Sequence, residues 1–84
     1  MLEAQSQLQK ADRTITEWRS TIARQKRRIV EMQKGGYSAA GSVILLREME
    51  ASLMTMRRDR DAIARRMEWH RRVIRATELA RTVG

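Results

Sequence analysis

The sequence contains no cysteine, no proline and no phenylalanine. Without cysteine, the chain can form neither a disulfide nor a thiolate metal site, and it has no cysteine nucleophile. Proline breaks helices, so its absence allows long uninterrupted helices. Aromatic residues make up 4% of the chain and charged residues 33%. This balance is unlike that of a β-sandwich or an α/β enzyme and is typical of long helices and coiled coils.

Long apolar stretches are also missing. The longest uncharged stretch, residues 35–46, is too short and too rich in glycine to span a bilayer. Residues 1–7 lack the basic and apolar parts of a signal peptide. We therefore expect one small soluble domain of 84 residues, located in the cytoplasm and not in a membrane.

The chain is strongly basic, with a formal net charge of +8. Of its 18 basic residues, 15 are arginine and 3 are lysine. Arginine makes the better bidentate contacts with phosphate, which favours a nucleic-acid partner. The alternative interpretation is a GC-rich genome, in which arginine codons replace lysine codons throughout.

Apolar residues recur every seven positions in the first part of the chain. The repeat consists of two series: Met1, Leu8, Ile15, Ile22 and Ile29, and Ala4, Ala11, Trp18, Gln25 and Met32. The alternating spacing of three and four places both series on one stripe of a helix, which we predict over residues 3–34. Gln25 is the only polar member, and such a residue usually fixes the register of two helices at some cost in stability.

Two glycines end this pattern, and a second helix follows almost at once. Gly35 and Gly36 can adopt the left-handed conformation that closes a helix. Ser38 is a good N-cap for the next helix, with Ser42 as the alternative. The predicted turn is 35–38 and the predicted second helix is 39–81. So short a connection makes the helices antiparallel, and the fold class is an all-α, coiled-coil-like helical hairpin, a single domain over residues 1–84.

The second helix carries a matching stripe, and we call the two stripes together the interhelical seam. Its members in this helix are Leu46, Met49, Leu53, Met56, Arg60, Ile63, Met67, His70, Ile74 and Thr77. A chain folded at Gly36–Tyr37 should place Trp18 opposite Met56. It should also leave the second helix about two turns longer than the first. Arg60 either extends its charged end into solvent or pairs with an acid such as Asp12.

A second apolar stripe lies outside the seam near the end of the chain. It consists of Trp69, Val73, Ala76, Ala80 and Val83, and we call it the Trp69 face. A hairpin of two helices buries little apolar surface alone and usually closes its core against another chain. We therefore predict an interaction protein whose interface includes Trp69, Val73, Ala76 and Ala80. The expected partner is a second copy, as a dimer forming a four-helix bundle or an end-to-end association, or another helical protein. An arginine stacked on Trp69 is the alternative use of that ring.

Basic residues on both helices form the candidate nucleic-acid contacts. They are Arg24, Arg27, Arg28, Arg58, Arg65 and Arg72. Two acids in the favourable i,i+4 order, Asp61 before Arg65 and Glu68 before Arg72, lie on the same face. Interleaved acids weaken a surface that would follow a phosphate backbone, so nucleic-acid binding is the second hypothesis.

No arrangement of residues indicates catalysis. The serines have no histidine and acid in a recognisable pattern, and the glycines match no phosphate-binding motif. The single histidine, His70, has no acid four residues away and is a poor metal ligand. We expect no enzyme activity, no cofactor, no metal and no small-molecule substrate.

The central part of the chain resembles short uncharacterised bacterial proteins predicted to be helical hairpins. The similarity covers roughly residues 15–67 and ends at Trp69. It is carried by residues 22–29, Gly36, Leu45-Leu46, residues 50–53 and Arg58-Asp59. The resemblance implies a hairpin and implies no activity.

Overall fold

The computed structural model describes residues 2–83, which form two α-helices joined by a short turn. Helix α1 spans Leu2–Lys34 and helix α2 spans Ala40–Val83, each within two residues of the predicted bounds. The described residues contain no strand. They form a rod of 75 × 16 × 15 Å. The predicted all-α helical hairpin is confirmed. Met1, a member of the predicted stripe, and Gly84 lie outside the described residues.

The turn closes α1 with the two hydrogen bonds of a Schellman motif. The N–H of Tyr37 donates to the carbonyl of Met32 at 2.9 Å, and the N–H of Gly36 donates to the carbonyl of Gln33 at 3.1 Å. Gly36 has a φ of 78°, a conformation that glycine adopts without steric cost. Gly35 leaves room for Tyr37, because a Cβ there would lie 3.0 Å from the ring of that residue, which is 72% exposed and would have to move slightly.

Helix α2 begins one residue later than predicted. The carbonyl of Ala39 is the first to accept a helical bond, from the N–H of Val43 at 2.9 Å. Ala39 therefore occupies the cap position, and its side chain is buried. The hydroxyl of Ser38 lies 3.5 Å from the N–H of Ala40, at the long limit of a hydrogen bond. The alternative cap, Ser42, lies inside the helix.

The interhelical seam is buried or half-buried over most of its predicted length. In α1 this holds for every seam residue from Ala4 to Met32, and in α2 it holds from Leu46 to Met67. The best-buried seam residues, with exposures of 6–8%, are Ile22, Ile29, Met49 and Met67. No described side chain is less than 2% exposed. The core is therefore a single thin layer, as expected for two helices without a third element.

The register of the helices differs from the predicted one by up to about one helical turn. Arg60 pairs with Asp12, and Met67 lies beside Ala4, so α1 is displaced slightly towards the turn. The Nε1–H of Trp18 reaches the carbonyl of Met49 at 2.8 Å, on the turn side of the predicted Met56. The Nε2–H of Gln25 donates to the carbonyl of Ser42 at 3.0 Å. Lower numbers in α1 meet higher numbers in α2, so the helices are antiparallel. Apolar residues still face each other after this displacement, because seam positions recur every three or four residues.

Arg60 is paired across the seam. Its Nε–H donates to Oδ1 of Asp12 at 2.8 Å, and its Nη1 lies 3.4 Å from Oδ1 of Asp61. The hydrogen bond to Asp12, and after it the hydrogen bond to Asp61, raises the pKa of Arg60 above its ordinary value. The Arg60 side chain is 36% exposed, so it reaches the edge of the seam and is not buried inside it. The partner predicted for the paired alternative, Asp12, is therefore the one observed.

Candidate protein-interaction face

Helix α2 extends well past the start of α1. Met67, which lies beside Ala4 of α1, is the last buried residue, and every residue from 68 to 83 is exposed. We call residues 68–83 the overhang. It is roughly 24 Å long at about 1.5 Å per residue, more than four turns where the sequence predicted about two. Three things make up the difference: α1 is displaced by up to about one turn, α2 ends at Val83 and not at 81, and the first residues of the overhang, up to His70, are exposed although they lie beside the start of α1.

The predicted seam continues further along α2 than the structure supports. His70 is exposed but lines a surface cavity with Ala4 and Gln7 of α1, close to its predicted position. Ile74 and Thr77 were also expected to face α1, but both are exposed. Ile74 is 44% exposed. The heptad pattern continues into the overhang, but the partner helix does not extend that far.

The Trp69 face lies on the side of α2 that points away from α1. At about 100° per residue, Ala76 is about half a turn around the helix from Met67, which α1 covers. All five residues of the face are exposed, with 61% exposure at Trp69 and 87% at Val83. Since α1 of the same chain packs on the opposite side of α2, it leaves this face uncovered.

The indole of Trp69 contacts a neighbouring aromatic ring. It meets the imidazole of His70 edge-on, with 5.3 Å between ring centroids and 72° between planes. Among residues 2–83, the side chain that contacts the ring of Trp69 in this way is therefore a histidine, whereas the alternative prediction was a stacked arginine. Leu79, which is 59% exposed, borders the Trp69 face and was missed by the sequence pattern. Its position three residues after Ala76 is the spacing that could have indicated it.

The six candidate nucleic-acid contacts are all exposed, but they do not form one cluster. The three in α1 lie around Gln25, which contacts Ser42. Arg58 is the nearest of the other three along α2, and it is eight residues from Glu50, which pairs with Lys26 of α1, about 12 Å at 1.5 Å per residue. The structure therefore separates the predicted set into a group near the turn and a group that continues into the overhang.

Ion pairs neutralise only part of this basic surface. Arg72 pairs with Glu68 at 3.5 Å, as the i,i+4 spacing predicted. The expected pair of Asp61 with Arg65 is absent among residues 2–83, because Asp61 pairs with Arg60 instead. Within the same residues, no carboxylate oxygen lies within 4.0 Å of the charged nitrogens of Arg58 or Arg65.

The described residues form neither a membrane span nor a cluster of metal ligands. Neither α1 nor α2 contains an apolar segment long enough to cross a membrane. The described part of the chain contains no group of three or more histidines and acids close enough together to hold a metal ion. Comparison with known proteins found no matching family model, no similar curated protein and no similar solved structure.

Proposed function

We propose that this chain is a non-catalytic helical interaction module that self-associates or docks on a helical protein through the Trp69 face. The observation that carries this proposal is the position of that face on the far side of α2 from α1, on a helix that extends beyond its intramolecular partner. An exposed tryptophan aligned with valines and alanines is apolar surface that association would remove from water.

The thin core supports the same proposal. Only five described residues are buried, and none of them completely. Isolated hairpins of this kind gain stability when another apolar surface covers them. A chain that leaves an apolar stripe on its longer helix can gain this stability by association.

Sedimentation equilibrium over a range of concentrations tests self-association directly. The mass should rise above that of the 9.8 kDa monomer and should do so at low and high salt, since burial of apolar surface is little screened. Trp69→Glu should keep the chain monomeric because it places a charge in the interface. Met54→Glu is the matched control, since Met54 is also on α2 and is 56% exposed, but lies outside the overhang. Equal effects of the two substitutions would contradict a role for the Trp69 face.

Nucleic-acid binding is the second candidate function. It is favoured by the net charge of +8 and by Arg58 and Arg65, which have no carboxylate within 4.0 Å in the described part of the chain. Arg58, Arg65 and Arg72 recur every seven residues and so lie along one side of α2.

Salt dependence distinguishes a specific site from simple charge attraction. We would measure binding to duplex DNA and to single-stranded RNA between about 50 and 200 mM salt. Arg58→Gln with Arg65→Gln should weaken binding, whereas Arg13→Gln with Arg19→Gln on α1 is the control of equal charge. Binding that the two double variants weaken equally would contradict a site on α2.

A further inference from the structure

We infer that the occupant of the Trp69 face is the overhang of a second copy, packed antiparallel with Ala76 at the two-fold axis so that two hairpins join end to end. This inference rests on the proposed self-association and specifies its geometry. It is carried by the order of side-chain sizes, by the positions of the charges, and by the length of α2 that extends beyond α1.

The sizes of the side chains are suited to an antiparallel crossing. The central residue of the face, Ala76, is small, with Val73 and Trp69 on one side and Ala80 and Val83 on the other. Two straight helices that cross at an angle are closest at the crossing point and diverge on both sides. Antiparallel pairing puts alanine at that point and one Trp69 at each end, opposite Val83 of the other copy. Parallel pairing would instead place the two tryptophans opposite each other in one layer. The alanines would then face only alanines in the layers that follow.

The charged side chains of the overhang do not repel one another across this antiparallel contact. At about 100° per residue, Arg71, Arg75 and Arg81 lie more than about 100° from the centre of the Trp69 face. The fourth arginine, Arg72, is nearer the face, but it pairs with Glu68 at 3.5 Å. In the antiparallel arrangement it would lie beside Leu79 of the second copy, which its aliphatic part can cover.

The charges of the hairpin body oppose a parallel side-by-side arrangement through the same face. Arg58 and Arg65 continue the line of the Trp69 face towards the turn, within about 40° around the helix. Both are exposed. Two hairpins aligned in parallel along this line would bring each arginine against its own counterpart. When the copies are antiparallel and centred on Ala76, the two hairpin bodies point in opposite directions and these arginines stay apart.

The lengths agree with an overlap limited to the overhang. Pairing centred on Ala76 places Val83 of one copy level with Trp69 of the other, close to where α1 begins. The contact is then roughly 20 Å long at about 1.5 Å per residue. With about 150 Å² for each tryptophan, such a contact buries on the order of 800 Å² in total. This is below the roughly 1,200 Å² of stable interfaces, so the dimer should dissociate on dilution.

Small-angle X-ray scattering separates this dimer from a four-helix bundle. The end-to-end dimer should have a maximum dimension of roughly 130 Å, which is twice the 75 Å of the monomer less the overlap. A bundle of the same mass would stay close to 75 Å. A dimer of bundle length would overturn the inference while leaving the proposed self-association in place.

Cysteine cross-linking tests the orientation, and the absence of native cysteine makes each introduced thiol unique. Ala76→Cys should cross-link to itself under mild oxidation. Ala80→Cys should not link to itself, but should link to Val73→Cys when the two variants are mixed. Met54→Cys, outside the overhang, measures the background from random collision. Adding Trp69→Glu to Ala76→Cys should reduce cross-linking to that background.

The outcomes are distinct. Self-linking of Ala80→Cys above background would show parallel pairing and overturn the inference. A dimer in sedimentation that cross-links at none of these positions would also overturn it, with self-association intact. A chain that stays monomeric at every concentration would refute both the inference and self-association.

Discussion

The two tryptophans allow the same substitution to be compared inside and outside the hairpin core. Trp18 is half-buried in the seam, and its Nε1–H donates to the carbonyl of Met49 at 2.8 Å. Trp69 is 61% exposed on the overhang. We expect Trp18→Phe to destabilise the hairpin clearly and Trp69→Phe to leave the isolated hairpin almost unchanged.

The magnitude follows from the contacts of Trp18. Phenylalanine cannot donate the hydrogen bond, whose net contribution is about 1 kcal/mol. The smaller ring also uncovers part of the surface that the indole shielded, which adds up to about 1 kcal/mol. Met49 lies within α2, so its carbonyl is not left without a partner. A loss of about 1–2 kcal/mol should lower the melting temperature by roughly 5–15 °C in a domain of this size.

Thermal and urea unfolding, followed by far-UV circular dichroism, measure this difference. Both variants should be compared with the parent chain at dilution, where association contributes least. Trp69→Phe should change the free energy of unfolding by less than about 0.5 kcal/mol, as exposed substitutions usually do. If Trp69→Phe destabilised the dilute chain as much as Trp18→Phe, our assignment of Trp18 to the core and Trp69 to a free surface would be refuted.

Three further predictions concern the turn, the seam and the overhang. Gly36→Ala should lower the free energy of unfolding by about 1 kcal/mol, because Gly36 has a positive φ. Gly41→Ala should be neutral or stabilising, because a Cβ there meets nothing within 4 Å. Chemical denaturation of both variants measures the difference. Gln25→Leu removes the hydrogen bond to Ser42 but makes the seam apolar, so the free energy of unfolding should stay equal or rise by up to about 1 kcal/mol. A clear loss in the same assay would contradict our interpretation that Gln25 fixes the register of the helices at a cost in stability. Hydrogen exchange in dilute solution should be fast after Met67 and should slow when the chain associates; early protection there in the monomer would argue against a free overhang.

The parts of the fold that depend on local rules were predictable. The heptad from Ala4 to Met32 determines which side of α1 is buried, and this follows from helical periodicity alone. The end of α1 follows from the glycines, and Gly36 indeed adopts a positive φ. Helix α2 starts one residue later than predicted, with the buried Ala39 in the cap position and the hydroxyl of Ser38 at 3.5 Å from the N–H of Ala40.

The register was not predictable from the pattern. A seam that repeats every seven residues offers nearly equivalent apolar matches at several displacements. The structure selects one in which the indole of Trp18 and the amide of Gln25 both reach backbone carbonyls of α2. Every residue has a backbone carbonyl, so hydrogen bonds to these carbonyls leave no signal in the sequence of α2. The pairing of Arg60 with Asp12 joins charged groups, and the sequence did indicate that one as an alternative.

The error in register bears directly on the candidate site. A displacement of α1 towards the turn by up to about one helical turn removes cover from the end of α2, and the later end of α2 at Val83 lengthens the free helix further. The residues of the Trp69 face were identifiable from their spacing, but the length of bare helix that carries them depends on contacts such as that of Trp18 with Met49, far along the rod. A longer overhang gives antiparallel pairing room for Trp69, Ala76 and Val83 of both copies without contact between the hairpin bodies. The register within one chain therefore controls how much of α2 is left to bind another.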